Sequence, residues 1–280
     1  MILVGCAGYS YADWKGVFYP PGTPSAEMLG YYARQFPFTE LNTTFYRLPT
    51  AALLASMEGK TPPGFLFFVK AFGGFTHRRD APVEDFVLFR EALRPLEEAG
   101  KLGGVLAQFP SSFRRGDENR DYLRYLRDRW PDLTLAVEFR HREWVEDEAT
   151  FELLEDAELA YVCVDEPGFK GLVPPVVRAT AGIGYVRFHG RNYRKWWRHD
   201  RPEERYDYLY SEAELREWIP RLLTLEGRTA KTYVSMNNHR RGQATVNGRM
   251  LRELLEIVER DKERKGEMEG AVPAGEPAKP

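Results

Sequence analysis

The sequence predicts an α/β fold, a single TIM-type (β/α)8 barrel with an irregular connection after the sixth strand. Three observations lead there. Eight short apolar runs cross the chain, amphipathic stretches of helical length separate most of them, and almost every run stops at a charged or amide side chain. Runs that are apolar throughout belong to strands covered on both faces, and a polar group at each carboxyl end marks the mouth of a barrel.

The runs occupy residues 2–7, 38–42, 65–70, 104–108, 133–139, 159–165, 184–189 and 231–237. Ser25 is placed to cap a helix carrying Met28, Leu29, Tyr32 and Phe36, and Asn119 precedes one carrying Tyr122, Leu123, Leu126 and Trp130. Ser211 and Glu214 form a capping-box pattern ahead of Leu215, Ile219, Leu222 and Leu223. Met250, Leu254, Leu255 and Val258 make the last apolar stripe. Between the sixth and seventh runs, Pro167, Gly168, Gly171, Pro174 and Pro175 predict no regular helix over residues 166–182. The barrel is assigned to residues 1–260. Residues 261–280, where charged residues give way to Ala, Gly and Pro, are assigned to a flexible tail.

Composition narrows the function classes. A hydrophobic share of 43% with 29% charged residues belongs to a soluble globular protein, and a net charge of -2 argues against a nucleic-acid clamp spanning the whole molecule. Cys6 and Cys163 each sit inside an apolar run and read as small buried hydrophobes in a reducing compartment. No basic segment precedes the first strand, and no apolar stretch approaches the roughly 18 residues needed to span a bilayer. The expected location is cytoplasmic, with no membrane partner. No dinucleotide fingerprint, phosphate loop, His-Glu-x-x-His or Gly-x-Ser-x-Gly pattern is present.

Side chains alternate across a strand, so Glu40 shares a face with Asn42, Glu138 with Arg140 and Arg187 with His189, while Leu41, Phe139 and Phe188 face the helices. The expected mouth therefore gathers the carboxylates Glu40, Glu138 and Asp165, the cations Lys70, Arg140 and Arg187, His189, and the amides Asn42, Gln108 and Asn237. Such a set serves either as catalytic machinery or as a salt-bridge network closing the barrel top. Residues 187–201 hold six Lys or Arg interleaved with aromatics, and His239, Arg240 and Arg241 follow the eighth strand. Loops after strands seven and eight are the common phosphate site of such barrels. Tyr9, Trp14 and Tyr46, with Tyr11 and Phe45, are placed either to wall a pocket or to cap the barrel as ordinary core, and His77 and His141 add acid-base or metal candidates.

Several segments together resemble the YecE-like family, also called the domain of unknown function 72 family. They are Gly8-Tyr9-Ser10-Tyr11 with Trp14 and Phe18-Tyr19-Pro20; Glu40-Leu41-Asn42-Thr43-Thr44-Phe45-Tyr46; Phe75-Thr76-His77; and Gln108-Phe109-Pro110. Glu138-Phe139-Arg140-His141 with Trp144, Arg187-Phe188-His189-Gly190-Arg191, and Asn237-Asn238 with Ala244 and Asn247 complete the set. They run in family order along nearly the whole chain. The resemblance implies a TIM-type barrel and no established reaction. Met236 departs from the aromatic residue common before the two asparagines.

The leading functional expectation is an enzyme, of hydrolase character, acting on a phosphate-bearing or nucleotide-like ligand. Glu138 is its base, His189 its acid, and Glu40 and Asp165 complete the catalytic set. Arg187, Arg191 and the Arg240-Arg241 loop are expected to hold the anion and Asn42 and Asn237 to orient the substrate, with Lys70, Gln108, Arg140 and Asn238 also binding it, between the aromatic walls and the two histidines. No metal site is favoured. Glu40, Glu138, Asp165 and His189 suit Mn or Zn chemically, but the neighbouring cations repel a metal. The alternatives are a non-catalytic module for single-stranded nucleic acid or another polyanion, and a carbohydrate-processing barrel using Glu40 and Glu138 about 5 to 9.5 Å apart.

Overall fold

Strands rich in Val, Leu and Phe have no polar face to turn to water, and this chain covers both faces of each by closing them into a ring. The computed structural model describes the backbone of residues 1–270 and the side chains of residues 1–260. Eight parallel strands pair in sequence order and β8 returns to β1. They are β1 (Ile2–Ala7), β2 (Phe38–Leu41), β3 (Leu66–Lys70), β4 (Leu102–Gln108), β5 (Leu135–Glu138), β6 (Leu159–Asp165), β7 (Ile183–Phe188) and β8 (Lys231–Met236). This is the expected (β/α)8 barrel.

Helices α1 (Ser25–Ala33), α2 (Ala51–Glu58), α3 (Val83–Glu98), α4 (Asp117–Arg129) and α5 (Glu148–Asp156) follow the first five strands. No helix lies between β6 and β7, as the prolines and glycines there require. Two helices, α6 (Glu212–Arg216) and α7 (Ile219–Glu226), then precede β8 where one was expected, and α8 (Gln243–Gly270) closes the ring. The Ser211–Glu214 capping box is formed in both directions. The expected cap at Ser25 and the expected helix start after Asn119 are corrected. Pro24 and Gly116 occupy the cap positions of α1 and α4, so Ser25 begins its helix, and the Asn119 amide instead donates to the Arg114 carbonyl. The expected boundary at residue 261 falls within α8, whose backbone runs to Gly270; residues 271–280 lie outside the described residues.

Inside the barrel the lower layers are aromatic. The Phe68 ring lies 4.4 Å from Tyr185 and 5.2 Å from Tyr233, centroid to centroid, and Phe38 packs 5.2 Å from Tyr233. Gly104, at φ +152, makes room for this: a Cβ there would stand 2.7 Å from the Phe68 ring. Groups reaching inward at the next layer are held against this closely packed floor. Cys6 and Cys163 are free and fully buried, and burial pushes both thiols up to about 12, which fits inert core residues. No described helix is long and apolar enough to cross a membrane.

Candidate functional site

Directly above the aromatic layers, Arg187 from β7 lies between two carboxylates. Its Nη2 and Nε donate to Glu40 on β2 at 2.6 and 3.0 Å, and its Nη1 donates to Glu138 on β5 at 2.5 Å. Tyr185 and Ser235 hydroxyls also donate to Glu40 Oε2, at 2.9 and 3.2 Å. All three charged groups are nearly or fully buried. The register explains their meeting: Arg187 is level with Ser235, and Tyr185 with Tyr233, so the 187 parity faces the barrel axis.

Arg140 extends the network from Glu138, 2.6 Å from its Nε, to Glu166, 3.2 Å from its Nη1. Burial alone would raise the Glu138 carboxyl, but the Arg140 and Arg187 guanidiniums overcome it and hold Glu138 well below the usual carboxylate range. Glu166 goes the other way: burial raises it to about 7 despite Arg140. His189 receives the Asn237 amide at Nδ1, 2.9 Å away, and its Nε2 stands 3.2 Å from Glu138 Oε1. That Nε2, Glu138 Oε1 and Arg140 Nε are buried without a well-aligned hydrogen bond, so proximity of charge holds the cluster here more than directed bonds do. Burial, reinforced by Arg140, lowers His189 to about 3.

Over this floor opens a cavity of about 420 Å³. Tyr9, Tyr11, Phe45, Tyr46, Tyr206 and His239 supply its ring-bearing wall, with Tyr11 stacked 4.5 Å from His239. Asn42, Gln108 and Asn237 supply amides. Of the three cations lining it, Arg140 and Arg187 are paired with carboxylates. Lys70 has no ion pair among the described residues; its Nζ donates to Gln108 Oε1 at 2.9 Å and sits 4.7 Å over the Phe45 ring. Burial, then Arg187, brings Lys70 down to about 8.

Most of the residues expected at the mouth are therefore brought together, and the exceptions are specific. Asp165 faces outward. It accepts from Tyr210 and Trp218, each at 2.7 Å, and from two nitrogens of Arg191, so neither Asp165 nor Arg191 reaches the cavity. Glu166, one residue further on, is the acid that β6 directs inward. Trp14 is buried, its Nε1 donating to the His239 carbonyl at 2.6 Å, and ties the first loop to the last. Asn238 is fixed to the Tyr208 carbonyl and to Asn247. His141 accepts the Glu143 amide at 3.3 Å, capping a short turn. His77 packs edge-on against Phe45, behind the wall, and burial with Lys70 lowers it to about 4. Glu138 and His189 lie beneath the lining.

The two basic loops also depart from expectation. Arg240 pairs with Asp207 and Glu204, at 3.5 and 3.9 Å, and the loop after β7 presents Pro202, Glu203 and Tyr206 to the cavity in place of its arginines. Trp196 is buried, whereas Trp197 is 57% exposed. The four candidate metal ligands are not assembled, since Asp165 points away. Among the described residues no group of three or more His, Cys, Asp or Glu is arranged to hold a metal ion. Among the lining or near-lining residues that sequence reasoning missed are Glu166, Pro202, Glu203 and Tyr206. Nothing marks Glu166, because β6 before it is apolar on both faces, and the other three lie in a turn with no periodic signal.

A closed parallel barrel with a polar mouth at the carboxyl ends of its strands belongs to the TIM-barrel class. Within that class, the family described as "Protein of unknown function DUF72" matches residues 3–270, and the chain belongs to this family. It is 36% identical over 272 residues to the UPF0759 protein YunF of Bacillus subtilis, covering 92% of this chain and 95% of that protein. The crystal structure of a DUF72 family protein from Thermotoga maritima superposes with a TM-score of 0.84 at 42% identity, covering 91% of this chain and 99% of that one. One from Enterococcus faecalis gives 0.83 at 26% identity, covering 91% and 96%.

Proposed function

We propose that the barrel mouth is the active site of an enzyme for a small phosphate- or carboxylate-bearing molecule with a ring or other flat portion. The observation that carries this reading is Lys70, a cation lining the cavity with no carboxylate within ion-pair distance among the described residues. A half-buried ammonium without an ion pair is costly, and an anionic ligand group is the partner that relieves the cost. Arg140 adds a second positive contact from the same lining, Asn42, Gln108 and Asn237 orient polar substituents, and the tyrosine wall takes the flat portion.

The expected base changes with the geometry. Glu138 is spent on two guanidiniums, while Lys70, drawn toward neutrality, is a lining group able to exchange a proton. A glycosidase pair of Glu40 and Glu138 is disfavoured because both bind the same guanidinium and Glu138 is held ionised, whereas that chemistry needs one protonated acid.

A second reading, binding of single-stranded nucleic acid, draws on the loop after β7. Tyr193 and Trp197 are more than half exposed beside Phe169, and Arg194, Arg198 and Arg201 form no ion pair among the described residues. Stacking faces with unneutralised cations suit such a strand.

One thermal-shift experiment separates the two. Inorganic phosphate, phosphorylated sugars and small carboxylates are expected to raise the melting temperature of the native chain and not of Lys70→Met. A response equal in both proteins overturns the mouth reading. A short oligonucleotide whose effect is lost at high salt and in an Arg194→Ala, Arg198→Ala variant supports the second.

A further inference from the structure

Half-buried Lys70 differs from Lys101, the buried lysine of the barrel, in a way that bears on its chemistry. Lys101, 5% exposed, has its ammonium saturated by the Glu58 carboxylate at 2.7 Å, the Glu58 and Thr61 carbonyls at 3.0 and 2.9 Å, and the Thr61 hydroxyl at 3.2 Å. That is how a structural lysine is satisfied, with more acceptors than its three donors need. Lys70 has one hydrogen-bond acceptor, Gln108 Oε1, and lines the cavity beside Arg140 and Arg187, whose charges lower its pKa against the opposing pull of Glu40 and Glu138. A lysine held beside other cations and partly withdrawn from water is how a protein makes an amine nucleophilic.

We infer that Lys70 condenses with a small carbonyl compound bearing an anionic group near the carbonyl, forming an imine at the mouth of the barrel. This deepens the reading of the mouth as an anion site and rests on it. Arg140 is placed to take the anionic group: two of its nitrogens face Glu138 and Glu166, its Nη2 has no hydrogen-bond partner among the described residues, and its side chain keeps 13% exposure. Gln108 Oε1 fixes the amine by accepting one N–H.

The step balances without any redox partner. The ammonium loses one proton, and its lone pair forms the C–N bond as the carbonyl π pair moves to oxygen. A second nitrogen proton passes to that oxygen, giving a carbinolamine. The proton first lost returns to the hydroxyl, the C–O bond breaks, and one water leaves. The positive charge ends on the imine nitrogen, where the Glu40 and Glu138 carboxylates of the floor lie in the same charge cluster. With its pKa near 8, roughly a tenth of Lys70 is the free amine at pH 7.

The test is reductive trapping on the full native chain. Pyruvate, glyoxylate and dihydroxyacetone phosphate are each incubated with the protein, reduced with borohydride, and the adduct is located by peptide mass mapping; the first two carry a carboxylate and the third a phosphate, so the arms also tell which anion is preferred. One adduct concentrated at Lys70, at least about fivefold above the mean of the surface lysines and rising in yield from pH 6 to pH 8, is the expected result. Lys70→Arg, which keeps the charge, is expected to abolish it. Adducts spread evenly over the lysines, or none at all, overturn the imine. If no adduct forms while phosphate or carboxylate still raises the melting temperature through Lys70, the imine falls and the anion site stands. If Lys70→Arg does not fold, the mapping of the native chain alone decides.

Discussion

Lys70 holds a position that works against the stability of the fold, which gives the residue-scale prediction. Its ordinary pKa of 10.5 falls to about 8 on folding. Below pH 8 both folded and unfolded chains carry the proton, so the burden of the half-buried ammonium is present in full. Between pH 8 and 10.5 the unfolded chain keeps a proton that the folded chain has released, so this group makes stability rise with pH across that window. Lys70→Met is therefore expected to be more stable than the native chain at pH 7, by on the order of 1 kcal/mol or ~2–4 °C in melting temperature, with the gain shrinking toward pH 10. Melts at pH 7 and pH 10 check this, and a variant less stable at pH 7 would show that the lysine supports the fold. A residue whose removal stabilises is retained for what it does.

At the scale of elements, the contrast between Asp165 and Glu166 separates a strut from a site. Asp165 ends β6 and fastens it to Tyr210, to Trp218 between α6 and α7, and to Arg191 after β7. Asp165→Ala leaves Arg191 without its bidentate partner and two buried donors unmatched, and is expected to cost about 3–5 kcal/mol in urea unfolding while the ligand response through Lys70 survives. Loss of that response without loss of stability would return Asp165 to the site. The error in placing it has a physical origin. On β2, β5 and β7 the inward set was legible because polar and apolar residues alternate at the strand ends: Glu40-Leu41-Asn42, Glu138-Phe139-Arg140 and Arg187-Phe188-His189. The run from Leu159 to Val164 is apolar on both faces, so nothing before Asp165 marks its parity. The eight strands were legible for that same reason, since apolar runs of strand length need no alternation to be recognised. The split into α6 and α7 was not, because Leu215, Ile219 and Leu222 keep one helical period across the break at Trp218. The basic loop misled through composition: of the six Lys and Arg over residues 187–201, Arg187 is neutralised by Glu40 and Glu138, Arg191 by Asp165, Glu214 and Glu217, and Lys195 by Glu204.

For the whole molecule, the charge cluster couples the closure of the barrel to pH. Strands β2, β5 and β7 and the residue after β6 each contribute one charged group to it, so a proton gained there acts on four segments of a ring that has no free edge along which to relax. His189 has an ordinary pKa of 6.5 and a folded value of about 3. Between those values the unfolded chain binds a proton that the folded chain refuses, so stability falls as pH falls through that window. His77, lowered to about 4, adds to the same trend, and Glu138, held well below its ordinary 4.5, extends it further into acid. Glu166 opposes it. Its folded value of about 7 lies above 4.5, so its contribution is full below pH 4.5 and is lost as pH rises through 7. His141 and His239 are lowered as well, so four histidines and Glu138 against Glu166 leave a net acid instability that begins near pH 6.5, before ordinary carboxylates titrate. Urea midpoints measured from pH 8 to pH 4 are expected to fall most steeply below 6.5 in the native chain. In His189→Asn, which removes the titrating ring while leaving an amide beside Asn237, the slope is expected to flatten between pH 6.5 and 4. Glu166→Gln is expected to gain stability at pH 8 and little at pH 4. An unchanged slope in His189→Asn would mean that the neutral imidazole beneath the mouth is not what ties this barrel's stability to pH.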